Sequence, residues 1–152
     1  MIRPDIEDLV GRYCEAVLRV DLALFASTWC EDATWSIPGA GAVVGRTAIT
    51  ETFATIRSTY RRCVQEVLNG VVTPSGPDDA AASWQVRELQ WRADGTGSEL
   101  IGVYHDDLRR GVDGWQFARR DFELLYDGPL ELPGRLREGR GPRPDTGWGD
   151  HR

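Results

Sequence analysis

Lysine is missing altogether: all 18 basic residues of the 152-residue chain are arginine, so no amine side chain is present to form a Schiff base with a carbonyl substrate. Histidine is nearly missing too. The two present, His105 and His151, give no metal-ligand spacing with the cysteines, and no metal or other cofactor is expected. Cysteine is limited to Cys14, Cys30 and Cys63, an odd number at wide separation that suits reduced thiols in a cytosol rather than a disulfide framework. Long apolar runs are also absent. No stretch approaches the roughly 18 apolar residues of a membrane span, and the N-terminus opens into an acidic segment instead of a basic flank and apolar core. A cytoplasmic protein is therefore expected. Basic surface is scarce as well: net charge is −6 and the pI near 4.9, with no basic stripe interleaved with aromatics, so neither nucleic acid nor membrane is an expected partner.

What is present suffices for one domain with a real core, at 152 residues and 41% hydrophobic. From Pro4 to Val20, the residues Ile6, Val10, Tyr13 and Val17 recur at helical spacing, with Asp5, Glu7 and Asp8 placed against the helix dipole. Asp21 precedes Leu22 to Phe25, where its carboxylate could cap a short second helix. Ala33 to Ile37 and Ala42 to Val44 read as short strands around a Pro38-Gly39 turn, and Thr47 to Tyr60 carries Ile49, Phe53, Ile56 and Tyr60 on one helical stripe. The period then changes. Cys63 to Thr73, Ala80 to Arg92, Glu99 to Leu108 and Trp115 to Tyr126 read as strands separated by Pro/Gly/Asp-rich turns. Helices first and an antiparallel meander after them predict an α+β domain over residues 1–127, its curved sheet wrapped around the helices with a pocket between. Residues 128–152, rich in Pro, Gly and Arg, read as a tail that is partly disordered or laid across a neighbour.

Tyr13 and Asp21 lie eight residues apart, and the chain runs on through Phe25, Trp29, Asp32-Ala33-Thr34-Trp35, Gly45, Asn69, Tyr104, Asp106, Gly114-Trp115 and Arg120. In this order these residues resemble the SnoaL-like members of the nuclear transport factor two-like superfamily, a cone-shaped α+β fold, over about residues 5–127. The resemblance implies a pocket. It does not single out a reaction, because such proteins include dehydratases, ring cyclases, epoxide hydrolases, a steroid isomerase, a dehydrochlorinase, dioxygenase small subunits and proteins that only bind. The enzymatic pattern matched best is that of hexachlorocyclohexane dehydrochlorinase and, more loosely, scytalone dehydratase, in which an aspartate at the place of Asp21 orients a histidine that takes the substrate proton. Gln65 occupies the place of that histidine, and an amide cannot accept and hold a proton near neutral pH. The steroid-isomerase base position is likewise filled by Ile37.

Carrying the family pattern across the strands puts Gln65 on one face with Cys63, Val67 and Asn69, and turns Trp84, Val86 and Glu88, then Gly102, Tyr104 and Asp106, toward the pocket. Arg120 is expected to pair with Asp106 or Glu88. Each residue has a plain reading beside a functional one. Asp21 is a helix cap or a base. Asp106 with Arg120 is a fold-holding ion pair or an oxygen-orienting one, and Tyr13 is a core aromatic or a donor to a substrate oxygen. Glu88, poorly solvated beside Trp84, is placed to act as acid or base in place of the lost histidine. His105 alternates away from the pocket, and Cys63 lacks a histidine to make it a nucleophile. The expected function is a cofactor-independent enzyme that eliminates, isomerises or cyclises a small apolar polyketide, terpenoid or aromatic molecule. Asp21, Glu88, Tyr13 and Arg120 would act catalytically, and Trp29, Trp35, Gln65, Trp84, Val86, Tyr104 and Asp106 would bind the substrate. The alternatives are a non-catalytic binding or assembly module and the small subunit of a ring-hydroxylating dioxygenase. Apolar residues on the outer sheet face, Leu89, Trp91, Ile101 and Val103, predict a homodimer or homotrimer.

Overall fold

An apolar stripe of Ile6, Leu9, Val10, Tyr13, Ala16 and Val17 winds α1 (Ile2–Arg19) and buries one side of it. The computed structural model describes residues 2–142. At the end of α1 the Asp21 amide donates to Ala16 O at 3.0 Å, the six-to-one bond of a Schellman turn, with Val20 in the left-handed position at φ 58°. Asp21 then opens α2 (Leu22–Ser27): its Oδ1 accepts the Leu24 amide at 2.9 Å. One residue thus closes the first helix with its backbone and caps the second with its side chain.

Six strands form a single curved sheet in the order β2-β1-β6-β5-β4-β3. The strands are β1 (Trp29–Ile37), β2 (Gly41–Val44), β3 (Arg62–Pro74), β4 (Asp79–Trp91), β5 (Gly97–Gly111) and β6 (Gly114–Pro129), with α3 (Arg46–Arg57) between β2 and β3. The meander β3 to β6 follows the sequence expectation, and β1 with β2 forms the expected hairpin. Two features differ from it. First, β1 starts at Trp29 rather than Ala33 and pairs in parallel with β6; that contact joins residues as far apart in sequence as Thr34 and Arg119 and leaves no local signal. Second, bulges interrupt the period of two. Around Leu68 the register slips, so Val67 faces Val86 across the ladder while Asn69 faces Gln85. Asn69 is therefore exposed beside Gln85 instead of sharing the pocket face with Gln65. A second bulge lies between the Asp107–Arg119 and Leu108–Phe117 pairs, and it lets both Phe117 and Arg120 turn inward.

The helices lie against the concave face. Tyr13, Phe25, Trp29, Trp35, Phe53 and Phe117 make the aromatic centre of the core, with Phe25 and Phe53 stacked at 3.9 Å and 9°. At Gly102 a Cβ would stand 2.5 Å from the Phe122 ring. Only glycine lets that ring lie across β5. Beyond β6, Leu130 N donates to Gly97 O at 3.0 Å, Glu138 pairs with Arg61, and Arg140 O accepts from Arg19 Nη1 at 3.1 Å. Leu130, Glu138 and Arg140 thus rest on their own chain, and the remainder of the expected tail, residues 143–152, falls outside the described residues. No helix among the described residues is long and apolar enough to cross a membrane.

Candidate functional site

Between the concave face, α1, α3 and the β1–β2 hairpin lies a cavity of about 590 Å³, within the ordinary range for a small-molecule site. Its walls are largely apolar, from Val17, Trp35, Phe53, Ile56, Leu100 and Phe122. One polar group is assembled by strand register. Gln65 faces Glu88 and Cys63 faces Gln90 across the β3–β4 ladder, so four side chains of one face meet. Glu88 collects three donors: Gln65 Nε2 to Oε2 at 2.7 Å, Gln90 Nε2 to Oε1 at 2.6 Å, and the Cys63 thiol to Oε1 at 3.2 Å. Gln65 Nε2 also donates to the Tyr104 hydroxyl oxygen at 3.0 Å. Burial first, and the Glu88 carboxylate second, push the Cys63 thiol well above its ordinary pKa, so it remains a protonated donor. Burial likewise raises Tyr13 and Tyr104, and both phenols stay neutral at physiological pH. Two buried polar atoms on the cavity wall, Trp35 Nε1 and Gln65 Oε1, have no hydrogen-bond partner among the described residues.

Of the residues expected in the pocket, Tyr13, Trp35, Gln65, Glu88 and Tyr104 line it. Asp21, Trp29, Trp84, Val86, Asp106 and Arg120 do not. Asp21 is held at the α2 cap. Trp29 is fully buried among Phe25, Trp35 and Phe117, and Val86 is core as well. Trp84 covers Gly70, where a Cβ would meet its ring at 2.0 Å, and borders a separate cleft with Cys14 between α1 and β3. Arg120 resolves the pairing choice in favour of Asp106, through a two-pronged contact from Nε to Oδ1 at 2.8 Å and from Nη2 to Oδ2 at 2.9 Å. Its guanidinium carbon lies 3.9, 4.0 and 4.4 Å from the ring centres of Tyr104, Phe117 and Tyr13. The pair therefore sits behind the two phenols and shapes them from beneath. Burial opposes the Arg120 charge, but Asp106 more than offsets this and raises its pKa.

Sequence reasoning missed Gln90, Arg57 and Arg92, all on the cavity wall. Gln90 was within reach, since it continues the alternation of Trp84, Val86 and Glu88. Arg57 had a signal too, four residues beyond Phe53 on the face of α3 that starts at Ile49. The described residues include no group of three or more His, Cys, Asp or Glu side chains able to hold a metal ion.

Residues 2–121 match the model of the SnoaL-like domain. The chain belongs to the SnoaL-like family. Solved structures agree on the nuclear transport factor two-like fold of this SnoaL-like protein. A hexachlorocyclohexane dehydrochlorinase, type 2, superposes with a TM-score of 0.81 at 21% identity, covering 91% of this chain and 95% of that one. A candidate scytalone dehydratase from Novosphingobium aromaticivorans gives 0.79 at 18%, with 92% and 95% covered. A candidate aromatic ring hydroxylase from the same organism gives 0.79 at 25%, with 85% and 93% covered. No curated protein matches the sequence.

Proposed function

We propose that this SnoaL-like protein is a cofactor-independent lyase or isomerase for a small, largely apolar molecule, with Glu88 as the group that takes and returns the substrate proton. The observation that carries this reading is the carboxylate held on the wall of an apolar cavity by Gln65, Gln90 and Cys63. Three donors fix both carboxylate oxygens in place, and a carboxylate has about four lone-pair positions, so roughly one remains for a substrate proton. Protonated Tyr13 and Tyr104 supply hydroxyls suited to a developing oxygen charge. The structural relatives described as a dehydrochlorinase and a candidate dehydratase favour elimination among the reactions this arrangement supports. Asp21, engaged as a cap, is given no part in the chemistry.

The test compares wild type with Glu88→Gln on a panel of cell-extract metabolites, read by mass spectrometry for loss of water or hydrogen halide and for isomer formation. Turnover should fall about 10²- to 10⁴-fold while thermal stability stays close to wild type. Equal turnover in the two proteins removes Glu88 from the mechanism. The second reading, a binding module, is favoured by the near-saturation of Glu88 by its own neighbours; ligand capture without any chemical change in wild type would select it.

A cytoplasmic homodimer or homotrimer is part of the same proposal. Of the outer-face residues expected to need cover, Leu89 is only 7% exposed within its own chain, while Ile101 and the Tyr126 opposite it are 38% and 49% exposed, and burial of that patch would favour association. Light scattering should report an oligomer at micromolar concentration, and a monomer there rejects it.

A further inference from the structure

The apolar face of α3 carries a cation. Ile49, Phe53 and Arg57 follow one another at four-residue spacing and all three are buried, so a guanidinium enters the interior where an aliphatic residue is the ordinary occupant. Arg57 is 4% exposed and forms part of the cavity wall. Its Nε donates to Val17 O at 2.9 Å and its Nη1 to Tyr60 O at 2.7 Å. Both acceptors are backbone carbonyls, which orient the group without cancelling its charge. No ion pair among the described residues includes Arg57. The other arginine buried in the interior, Arg120, is met by Asp106 on two prongs. Glu88 is the carboxylate of the same cavity, but its hydrogen bonds go to Cys63, Gln65 and Gln90.

A guanidinium offers five N–H donors and keeps its charge at physiological pH, so two carbonyls leave donors unspent at the cavity wall. A buried charge of this kind is ordinarily paired. We propose that Arg57 binds an anionic oxygen of the ligand, and that this protein takes small apolar molecules that carry a carboxylate. Trp35, Phe53, Ile56, Leu100 and Phe122 provide surface for the apolar body, while Arg57 holds the acidic end and offsets the repulsion between that end and Glu88. The inference rests on reading the cavity as the ligand site. It does not depend on whether Glu88 moves a proton.

The probes are 2-naphthoate and 2-naphthamide, equal in shape and different in charge, titrated calorimetrically into the full chain at neutral pH. Wild type should bind the acid about 10- to 100-fold more tightly than the amide, the range expected for a hydrogen bond to a charged group. Arg57→Gln should bind the two alike, and Arg57→Lys should retain part of the preference. Because Arg57 also ties α3 to α1 through Val17 and to the Tyr60 loop, Arg57→Gln can fail to fold. A wild-type measurement covers that case: the Nε–Hε resonance of Arg57 should shift with naphthoate and stay in place with naphthamide. Equal binding of acid and amide by wild type, no measurable naphthoate binding, an unmoved resonance, or a preference that survives in folded Arg57→Gln would each overturn the proposal. Glu88→Gln separates this inference from the proton-transfer reading. That variant should keep or strengthen the naphthoate preference while turnover is lost, whereas loss of turnover without any preference for the acid overturns the anion site alone.

Discussion

Removing one member of the Asp106–Arg120 pair should damage the fold, while removing both should not. Arg120 and Asp106 are 0% and 3% exposed and joined at 2.8 and 2.9 Å. Asp106→Asn leaves a guanidinium buried without its counter-charge, for a cost of about 3–5 kcal/mol. The three rings around Arg120 still hold the cation in that variant. Arg120→Met forfeits those cation–π contacts as well and strands a carboxylate in the core, so it should be the worse of the two, by up to about 2 kcal/mol. Either loss is a large part of the roughly 5–15 kcal/mol that stabilises an ordinary domain. The double variant Asp106→Leu with Arg120→Met replaces the pair by apolar groups and should lie near wild type or above it by about 1–4 kcal/mol. Urea denaturation of wild type, Asp106→Leu, Arg120→Met and the double variant gives the coupling energy directly. Additive single costs would refute a pair held by mutual compensation. Ligand binding adds a second criterion, because Arg120 stands behind Tyr13 and Tyr104 and off the cavity wall. A double variant that folds well but has lost ligand affinity would return Arg120 to the functional set.

The junction between α1 and α2 should respond in two directions. Asp21→Ala should cost about 0.5–2 kcal/mol by deleting the cap, Asp21→Asn much less, and Val20→Gly should add about 1 kcal/mol by relieving a left-handed valine. Denaturation midpoints check all three, and a Val20→Gly variant no more stable than wild type contradicts the assigned turn. Stability should also fall in alkali. Burial holds the Cys14 thiol up at about 11 against an ordinary value of 9.0, so the folded chain keeps a proton that the unfolded chain releases. The contribution is complete below about pH 9 and is lost as pH rises toward 11. Cys14→Ala should flatten that limb of the stability curve, and an unchanged slope argues against this partly buried thiol as its cause.

Local pattern alone was enough for the helices, the meander and their order, since the change from a helical to an alternating period is written into short windows of chain. It also allowed Asp21 to be read as a cap, because capping joins residues three apart. The choice between cap and base needed the structure: only there is the carboxylate seen bonded at Leu24 and absent from the cavity wall. The family pattern carried along the strands turned Gln65, Glu88 and Tyr104 toward one face, where the structure brings them into contact, and it missed the turn at Asn69, where a bulge interrupts the strand. Bulges follow from sheet curvature and packing, to which a single strand's pattern is blind. The same limit applies to the contacts that define the site. Gln65 reaches Glu88 across 23 residues and Tyr104 across 39, and Val17 accepts from Arg57 across 40. Residue types told which chemistry was available; the long-range register of the sheet and the docking of α3 decided which of those groups share a cavity and which lie packed behind it.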